Sequence, residues 1–152
     1  MTIKIKQSPT ADTRTCDVTQ VTKQILLDSS RQHIIDVAKA MEFFASKLFE
    51  ASVIHDYDKL TDIDWFLSDF KTKFEQTGWW DNHRAIHRHH LGKADGVPQD
   101  VNLVDVIEYI CDCVMAGMAR SGSVYPIDLS DNLLRTAFTN TVELIKSQIE
   151  VE

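Results

Sequence analysis

Histidine and aspartate are concentrated in one part of this chain in a pattern that is typical of metal ligands. Five of the six histidines lie between positions 55 and 90. Neutral imidazole and carboxylate hold divalent transition metals, and carboxylate also suits magnesium and manganese. His55 and Asp56 are adjacent, and both can reach one ion only if the backbone turns there or a helix ends. The sequence therefore predicts a metal site.

The histidines that follow Gly78 are candidate ligands as well. His83, His87 and His90 are spaced as on one face of a helix that we expect from Trp79 to His90. On such a helix, His89 points elsewhere, unless the helix ends before it. A solvated surface is the alternative interpretation of this run, and the role of His87 stays open.

One acidic residue later in the chain has unusual neighbours. Asp112 follows Glu108 by one helical turn in the strongly apolar segment VIEYICDCVMAG. A carboxylate in such surroundings must be neutralised, paired or bound to a cation. A plain salt bridge with an arginine is the alternative to a metal site.

The first long helix poses a geometric problem. Apolar residues recur at three- and four-residue spacing from Ile34 to Leu48, after a cap at Ser29 or Ser30. Without a break, this helix would hold His33 about 33 Å from His55, at 1.5 Å per residue. A shared ion therefore requires a break near residues 49–52.

The remaining pattern predicts an all-α chain, a compact bundle of about five to seven helices. Residues 1–17 are expected to form a flexible N-terminal arm or an extended edge segment, and residues 18–152 a single helical domain. Further helices are expected from a capping box at Thr61 and Asp64 through Trp65 to a stop at Gly78, from Leu103 to about Arg120 after an Asn102 cap, and after Ser130. Residues 92–101 form the clear loop between them.

Composition limits the function. The net charge of -7 argues against extended binding of nucleic acid, which requires a basic surface. No apolar run approaches the roughly 20 residues that span a bilayer, and the first residues do not have the pattern of a secretory signal. We expect a soluble protein of the cytoplasm, or of the host cytoplasm if a phage encodes it, with no membrane partner. Assembly into a homo-oligomer is left open.

Taken together, these residues resemble an HD-domain metal-dependent phosphohydrolase. That all-helical superfamily has a histidine on one helix, a His-Asp doublet on the next and a later aspartate. His33, the doublet His55-Asp56 and Asp112 correspond to these positions. HDYDK (55–59) is similar to the HDxxK form, in which the lysine lies near substrate phosphate.

A second similarity is to the HD-GYP branch. HHLGKADGVP (89–98) resembles its HHE…DG…P run, whose paired histidines help to hold a second metal, and His83 is the best match to a preceding histidine. Leu91 replaces the usual glutamate and the GYP portion is missing, which argues against cyclic-dinucleotide hydrolysis. The small size is more similar to compact phage-type members.

The resemblance implies a phosphohydrolase that acts on a nucleotide or related small phosphoester through a metal-activated water. One or two divalent cations are implied, of manganese, iron, cobalt, nickel, zinc or magnesium. Lys59 would position a phosphate oxygen, and Glu108 would orient the water or a ligand histidine. The implied metal ligands are His33, His55, Asp56, His83, His89, His90 and Asp112.

Two alternatives remain. One is a non-catalytic helical module that binds a metal, a nucleotide or a protein partner, and the other is a plain bundle with surface histidines. Trp65, Trp79 and Trp80 are candidates for stacking on a base, although such side chains more often lie in the core, as we expect for Trp65.

Overall fold

A computed structural model describes residues 2–8, 13–92 and 96–152. The all-α class is confirmed, because these residues form six α-helices and only two strands of three residues each. The elements in chain order are β1 (Ile3–Ile5), a 3-10 turn (Val18–Gln20), α1 (Lys23–Ile54), α2 (Asp58–Thr61), α3 (Ile63–Lys71), α4 (Trp79–Ile86), α5 (Leu103–Ser121), α6 (Asp131–Lys146) and β2 (Ile149–Val151). None of the helices within the described ranges is long and apolar enough to cross a membrane.

The chain divides into two units, of which the first contains both strands. It comprises residues 1–46 and 142–152. β1 pairs in parallel with β2, with Ile3 opposite Ile149, and Ile3 is almost fully buried. Of the two alternatives for the N-terminal arm, residues 3–5 adopt the extended one. Residues 1 and 9–12 of that arm lie outside the described residues.

The second unit, residues 47–141, contains every element of the site described below. Its apolar core is formed by Leu91, Val101, Val106 and Ala137, with further apolar side chains packed around them. Since Leu91 belongs to this core, the segment just before it is anchored although it is not helical.

Capping signals that are local in sequence are confirmed for the last two helices. The side chain of Asn102 accepts a hydrogen bond from the backbone N–H of Val104 and forms a capping box with Asp105. Gly122, with φ of +73°, ends α5. The hydroxyl of Ser130 accepts from the backbone N–H of Leu133 at the start of α6.

Three predicted helix limits are wrong. α1 begins at Lys23, so Ser29 and Ser30 lie inside it rather than at its start. α3 ends at Lys71, well before Gly78, which instead caps α4 with φ of +74°. α4 ends at Ile86 rather than at His90.

Candidate metal centre

The His-Asp doublet lies where α1 ends, as the metal hypothesis requires. The helix stops at Ile54, and Asp56 has φ of +52°, in the left-handed region that aspartate tolerates better than most residues. The turn prevents the next side chains from following the helix, so His55 and Asp56 reach the same region. The predicted turn is confirmed.

Three imidazole nitrogens converge on the Asp56 carboxylate. Nε2 of His83 lies 3.3 Å from Asp56 Oδ1, and Nε2 of His89 lies 3.5 Å from the same oxygen. Nε2 of His55 lies 3.5 Å from Asp56 Oδ2. His83 and His89 are fully buried. Four side chains from two distant parts of the sequence, residues 55–56 and 83–89, thus bring metal-ligating atoms together.

Two further carboxylates hold the opposite side of these rings. Nδ1 of His55 donates to Oε1 of Glu108 at 2.9 Å. Nδ1 of His89 lies 3.0 Å from the same oxygen, at an angle that does not make a hydrogen bond. Nδ1 of His83 donates to Asp58 at 2.9 Å. A carboxylate on one ring nitrogen fixes the tautomer and leaves the other nitrogen free to bind a metal, as in most histidine-ligated sites.

The segment that carries His89 is positioned by an arginine clamp. α4 ends at Ile86, and Arg88 donates from Nε and Nη2 to the two carboxylate oxygens of Asp105, at 2.8 and 2.9 Å. Because Asp105 also accepts from the backbone N–H of Asn102, the clamp joins this segment to the start of α5. Glu108 lies one turn further along the same helix.

His83 is held by aromatic packing. The ring of Trp79, which is fully buried, stacks on His83 with centroids 4.7 Å apart, and the ring of Trp80 stacks at 5.3 Å. Phe66 of α3 stacks on Trp79 at 4.2 Å. The two tryptophans therefore support a candidate ligand. Trp65 is 40% exposed, so its expected place in the core is wrong.

The protonation states favour a cation. Burial alone would raise the pKa of Asp56, but the hydrogen bond and charge of Lys59 lower that pKa below its ordinary value. Burial would also raise the pKa of Glu108, and contacts with His89 and His55 lower it overall. Burial lowers the pKa of His83, although Asp58 partly opposes this effect. Ionised carboxylates and neutral imidazoles are the forms that bind metal.

The atoms that converge on Asp56 are chemically suited to a divalent ion. Asp56 Oδ1 and Nε2 of His83 and His89 are buried and make no hydrogen bond within the part of the chain that the structure describes. Leaving a buried polar atom unpaired costs about 1–3 kcal/mol. Ligands bonded to one ion at about 2.0–2.2 Å lie about 3 to 3.5 Å apart, close to the observed spacing. Two groups of side chains have the spacing of a metal site, and both contain Asp56. The first group is His55, Asp56 and His89, and the second group is Asp56, His83 and His87.

One predicted ligand has to be corrected. α1 runs unbroken from Lys23 to Ile54, so the break expected near residues 49–52 is wrong. The rise of a continuous helix keeps His33 about 30 Å from the end of α1. His33 is also exposed, and it can no longer be counted among the ligands of an ion held by His55.

Two predicted ligands lie beside the two groups without belonging to either. Oδ1 of Asp112 is 3.8 Å from Nε2 of His55, and its side chain is 30% exposed rather than buried. The His90 ring packs 4.7 Å from His83 and 4.2 Å from His89. Burial, together with the charges of those two histidines, lowers the pKa of His90 to about 3, so its imidazole is neutral and available.

The two predicted catalytic residues contact the cluster. Nζ of Lys59 donates to Oδ2 of Asp56, and Glu108 accepts from His55 as described above. Of the HHLGKADGVP motif, residues 93–95 lie outside the described residues. The backbone packing requires glycine at position 96, because a Cβ there would lie 2.6 Å from the backbone oxygen of His90.

Two site residues were not among the predicted ligands or catalytic residues: Asp58 was expected to support a ligand or to face solvent, and the role of His87 stayed open. Asp58 is 1% exposed, and it accepts from Nδ1 of His83 and from Nε2 of His87, the latter at 2.8 Å. His87 is nearly buried and contributes to the second group. The only signal in the sequence was the proximity of Asp58 to the His55-Asp56 doublet, which did not separate it from a solvent-facing acid.

Comparison of the chain with protein-family models, with curated proteins and with solved structures finds no match. The geometry of this histidine and carboxylate cluster is therefore the basis for a functional assignment.

Proposed function

We propose that the protein is a divalent-metal-dependent phosphohydrolase that acts on a small phosphorylated substrate. The observation that carries this proposal is the convergence of three Nε2 atoms on Asp56, with Nδ1 of each ring facing Glu108 or Asp58. Such carboxylate-backed histidines are typical of metal sites.

The number and kind of ions follow from the ligands. Asp56 belongs to both candidate groups, and a carboxylate shared in this way suits two ions side by side. Mixed histidine and carboxylate ligation favours manganese, iron, cobalt, nickel or zinc over magnesium. Asp112, next to His55, and His90, next to His83, are the proposed additional ligands.

The chain's residues would divide the reaction between them. A bound divalent ion would supply a water of lowered pKa and positive charge for the phosphoryl oxygens. Lys59, beside Asp56, would bind a further phosphoryl oxygen as a point charge. In the hydrolysis, the water oxygen bonds to phosphorus, the ester P–O bond breaks, and the alcohol leaves with a proton. Glu108 would act by positioning His55 and His89.

A structural metal site is the second candidate, and the burial of His83 and His89 favours it, because structural sites are closed. His55 is less buried, with 31% of its side chain exposed, and it lines a pocket together with Glu108 and Asp112. An accessible ligand beside a pocket is what a catalytic site requires, so this feature favours the hydrolase.

The test combines metal content with activity. We expect purified protein to bind one or two equivalents of manganese or zinc and to release phosphate from a panel of phosphoesters. Asp56→Asn should lose both properties, and Lys59→Gln should keep the metal but turn over more slowly. Asp64→Asn, at an exposed aspartate of α3, is the matched control. Tight metal binding without phosphate release from any substrate would favour the structural site, and absence of metal binding would reject both.

A further inference from the structure

A pocket of about 350 Å³ opens beside His55, between the end of α1 and the middle of α5. Its volume equals that of roughly a dozen liquid waters, which is enough for a group of about ten non-hydrogen atoms. The residues that line it are Leu48, Ala51, Ser52, His55, Ile107, Glu108, Cys111, Asp112 and Met115.

Most of the pocket lining is apolar. His55, Glu108 and Asp112 form the side next to the candidate metal centre, and apolar side chains from both helices, such as Leu48 and Ile107, form most of the rest. A ligand that reaches from the metal centre into this pocket therefore meets apolar surface as soon as it leaves the ligand residues.

The charge of the lining excludes a polyphosphate. No lysine or arginine lines the pocket within the described residues, whereas two carboxylates do. A second phosphoryl group in the pocket would lie close to Glu108 and Asp112 without a cation from the protein. Lys59 contacts Asp56, and its single ammonium group suits one phosphoryl group.

The lining also lacks a platform for a nucleobase. Among the described residues that line it there is no tryptophan, tyrosine or phenylalanine, whereas base recognition commonly uses stacking on an aromatic face. Trp79 is fully buried against His83, and the indole N–H of Trp65 donates to the carbonyl of Thr77. Apolar groups bind such a pocket by burying their surface.

We propose that this pocket binds the apolar, uncharged alcohol portion of a phosphomonoester, whose single phosphoryl group reaches the cluster around Asp56. This assignment of the substrate class rests on the proposed function. The pocket is termed the alcohol pocket below.

The first test measures chain-length dependence. Hydrolysis of methyl, butyl and hexyl phosphate is compared with that of nucleoside mono- and triphosphates, with manganese present. Burying a methylene contributes enough to raise kcat/KM by about three- to fourfold, so hexyl phosphate should exceed methyl phosphate by more than a hundredfold. Nucleotides hydrolysed faster than hexyl phosphate would overturn the assignment and leave the hydrolase proposal intact.

A matched pair of variants locates the effect. Ala51→Phe fills the alcohol pocket, and Val53→Phe places the same ring at an exposed position two residues further along α1. The ratio of kcat/KM for hexyl over methyl phosphate should fall at least tenfold in the first variant and stay near the parent value in the second. An unchanged ratio in Ala51→Phe would reject the pocket as the binding site.

A binding measurement separates this inference from the hydrolase proposal. Cys111 lines the pocket and is exposed, whereas Cys113 is buried. Hexylphosphonate, which is not hydrolysed, should slow the labelling of Cys111 by a maleimide at least fivefold, and methylphosphonate should not. Cys111→Ser identifies the labelled thiol.

The outcomes are distinct. Protection of Cys111 without hydrolysis of any ester would reject the hydrolase proposal and support the alcohol pocket as a binding site. Hydrolysis without protection of Cys111 would support the hydrolase proposal and reject the alcohol pocket as a binding site. A second copy of the chain that covers the pocket would give a different result. Cys111 would then react only after dilution to monomers, and Ala51→Phe would change the mass measured by light scattering. That result would also overturn the inference.

Discussion

Glu108 provides the sharpest test of the metal centre, because one of its oxygens faces two histidines. Nδ1 of His55 donates to Oε1 at 2.9 Å, and Nδ1 of His89 lies 3.0 Å from the same atom. Glu108→Gln keeps the size of the side chain but removes its charge, and its amide nitrogen cannot accept a hydrogen bond. Both rings would then be less basic at Nε2 and less firmly oriented.

The expected loss follows from the number of histidines affected. Removing a group that orients one ligand histidine typically lowers metal affinity by about 10- to 100-fold. Because Glu108 contacts two of the three histidines that converge on Asp56, we expect a loss in the upper part of this range. A 100-fold loss corresponds to about 2.7 kcal/mol, at 1.36 kcal/mol for each factor of ten.

The assay is a competition titration of manganese or zinc against a chelator of known affinity, with thermal unfolding of the metal-free protein measured in parallel. Glu143→Gln is the control, since Glu143 is an exposed residue of α6 that pairs with Lys146. Glu108→Gln should lose affinity while the control does not. If both variants bind metal as the parent does, then Glu108 does not orient ligands and the assignment of the histidines is wrong.

Three further predictions concern the supports of the site. Arg88→Lys removes the two-point contact with Asp105 and should lower metal affinity up to about tenfold, as measured by the same titration. Gly96→Ala should reduce both metal affinity and melting temperature, because the new Cβ would lie 2.6 Å from the backbone oxygen of His90. Gly92→Ala should reduce them less, because its Cβ would lie 3.6 Å from the hydroxyl of Tyr109. The backbone N–H groups of Thr77 and Trp80 donate to the buried carboxylate of Asp69 at 2.9 Å, so Asp69 helps to hold the start of α4. Burial would raise the pKa of Asp69, but these hydrogen bonds lower it overall. Because its folded-state pKa is lowered, the Asp69 carboxylate stabilises the protein above the pKa of an unfolded aspartate, and this stabilisation is lost in acid. The difference in unfolding free energy between the parent and Asp69→Asn should therefore shrink as the pH falls from about 5 to about 2.

The parts of the fold that were predictable from sequence depend on local chemistry. Asn102 and Ser130 cap their helices with their own side chains, and Gly122 ends α5 with a positive φ that suits glycine. The all-α class follows from apolar periodicity in the same way. Each signal acts within a few residues of the element that it limits, so it can be read without knowledge of the tertiary structure.

The end of α4 could not be predicted for the opposite reason. Trp79 to His90 contains no proline or glycine, and its histidines are spaced as on one helical face. The helix nevertheless ends at Ile86, where the following residues are held by tertiary contacts, namely Arg88 with Asp105 and Leu91 in the core. This early end is what allows His89 to face Asp56, so the site depends on a feature that helix propensity opposes.

The error about His33 has a related cause. A break in α1 was expected only because a shared ion required one, and the sequence near Phe49 to Ser52 offers no helix-breaking residue. Propensity was the better guide there, and α1 is continuous. Among the predicted site residues, Lys59 and His89 lie beside Asp56, whereas His33 does not.

The Asp56 carboxylate explains why these residues form one functional unit. Oδ1 faces Nε2 of His83 and His89, whereas Oδ2 accepts from Lys59. Oδ1 is thus directed to two candidate ligands, whereas Oδ2 faces both the third, Nε2 of His55 at 3.5 Å, and the cation that would bind substrate phosphate. The backbone leaves the helical conformation at Asp56, whose φ is +52°, just after α1 ends at Ile54. An ion held at Oδ1 would therefore lie next to the Lys59 amine, and two cations placed in this way would both be able to attract a phosphoryl group.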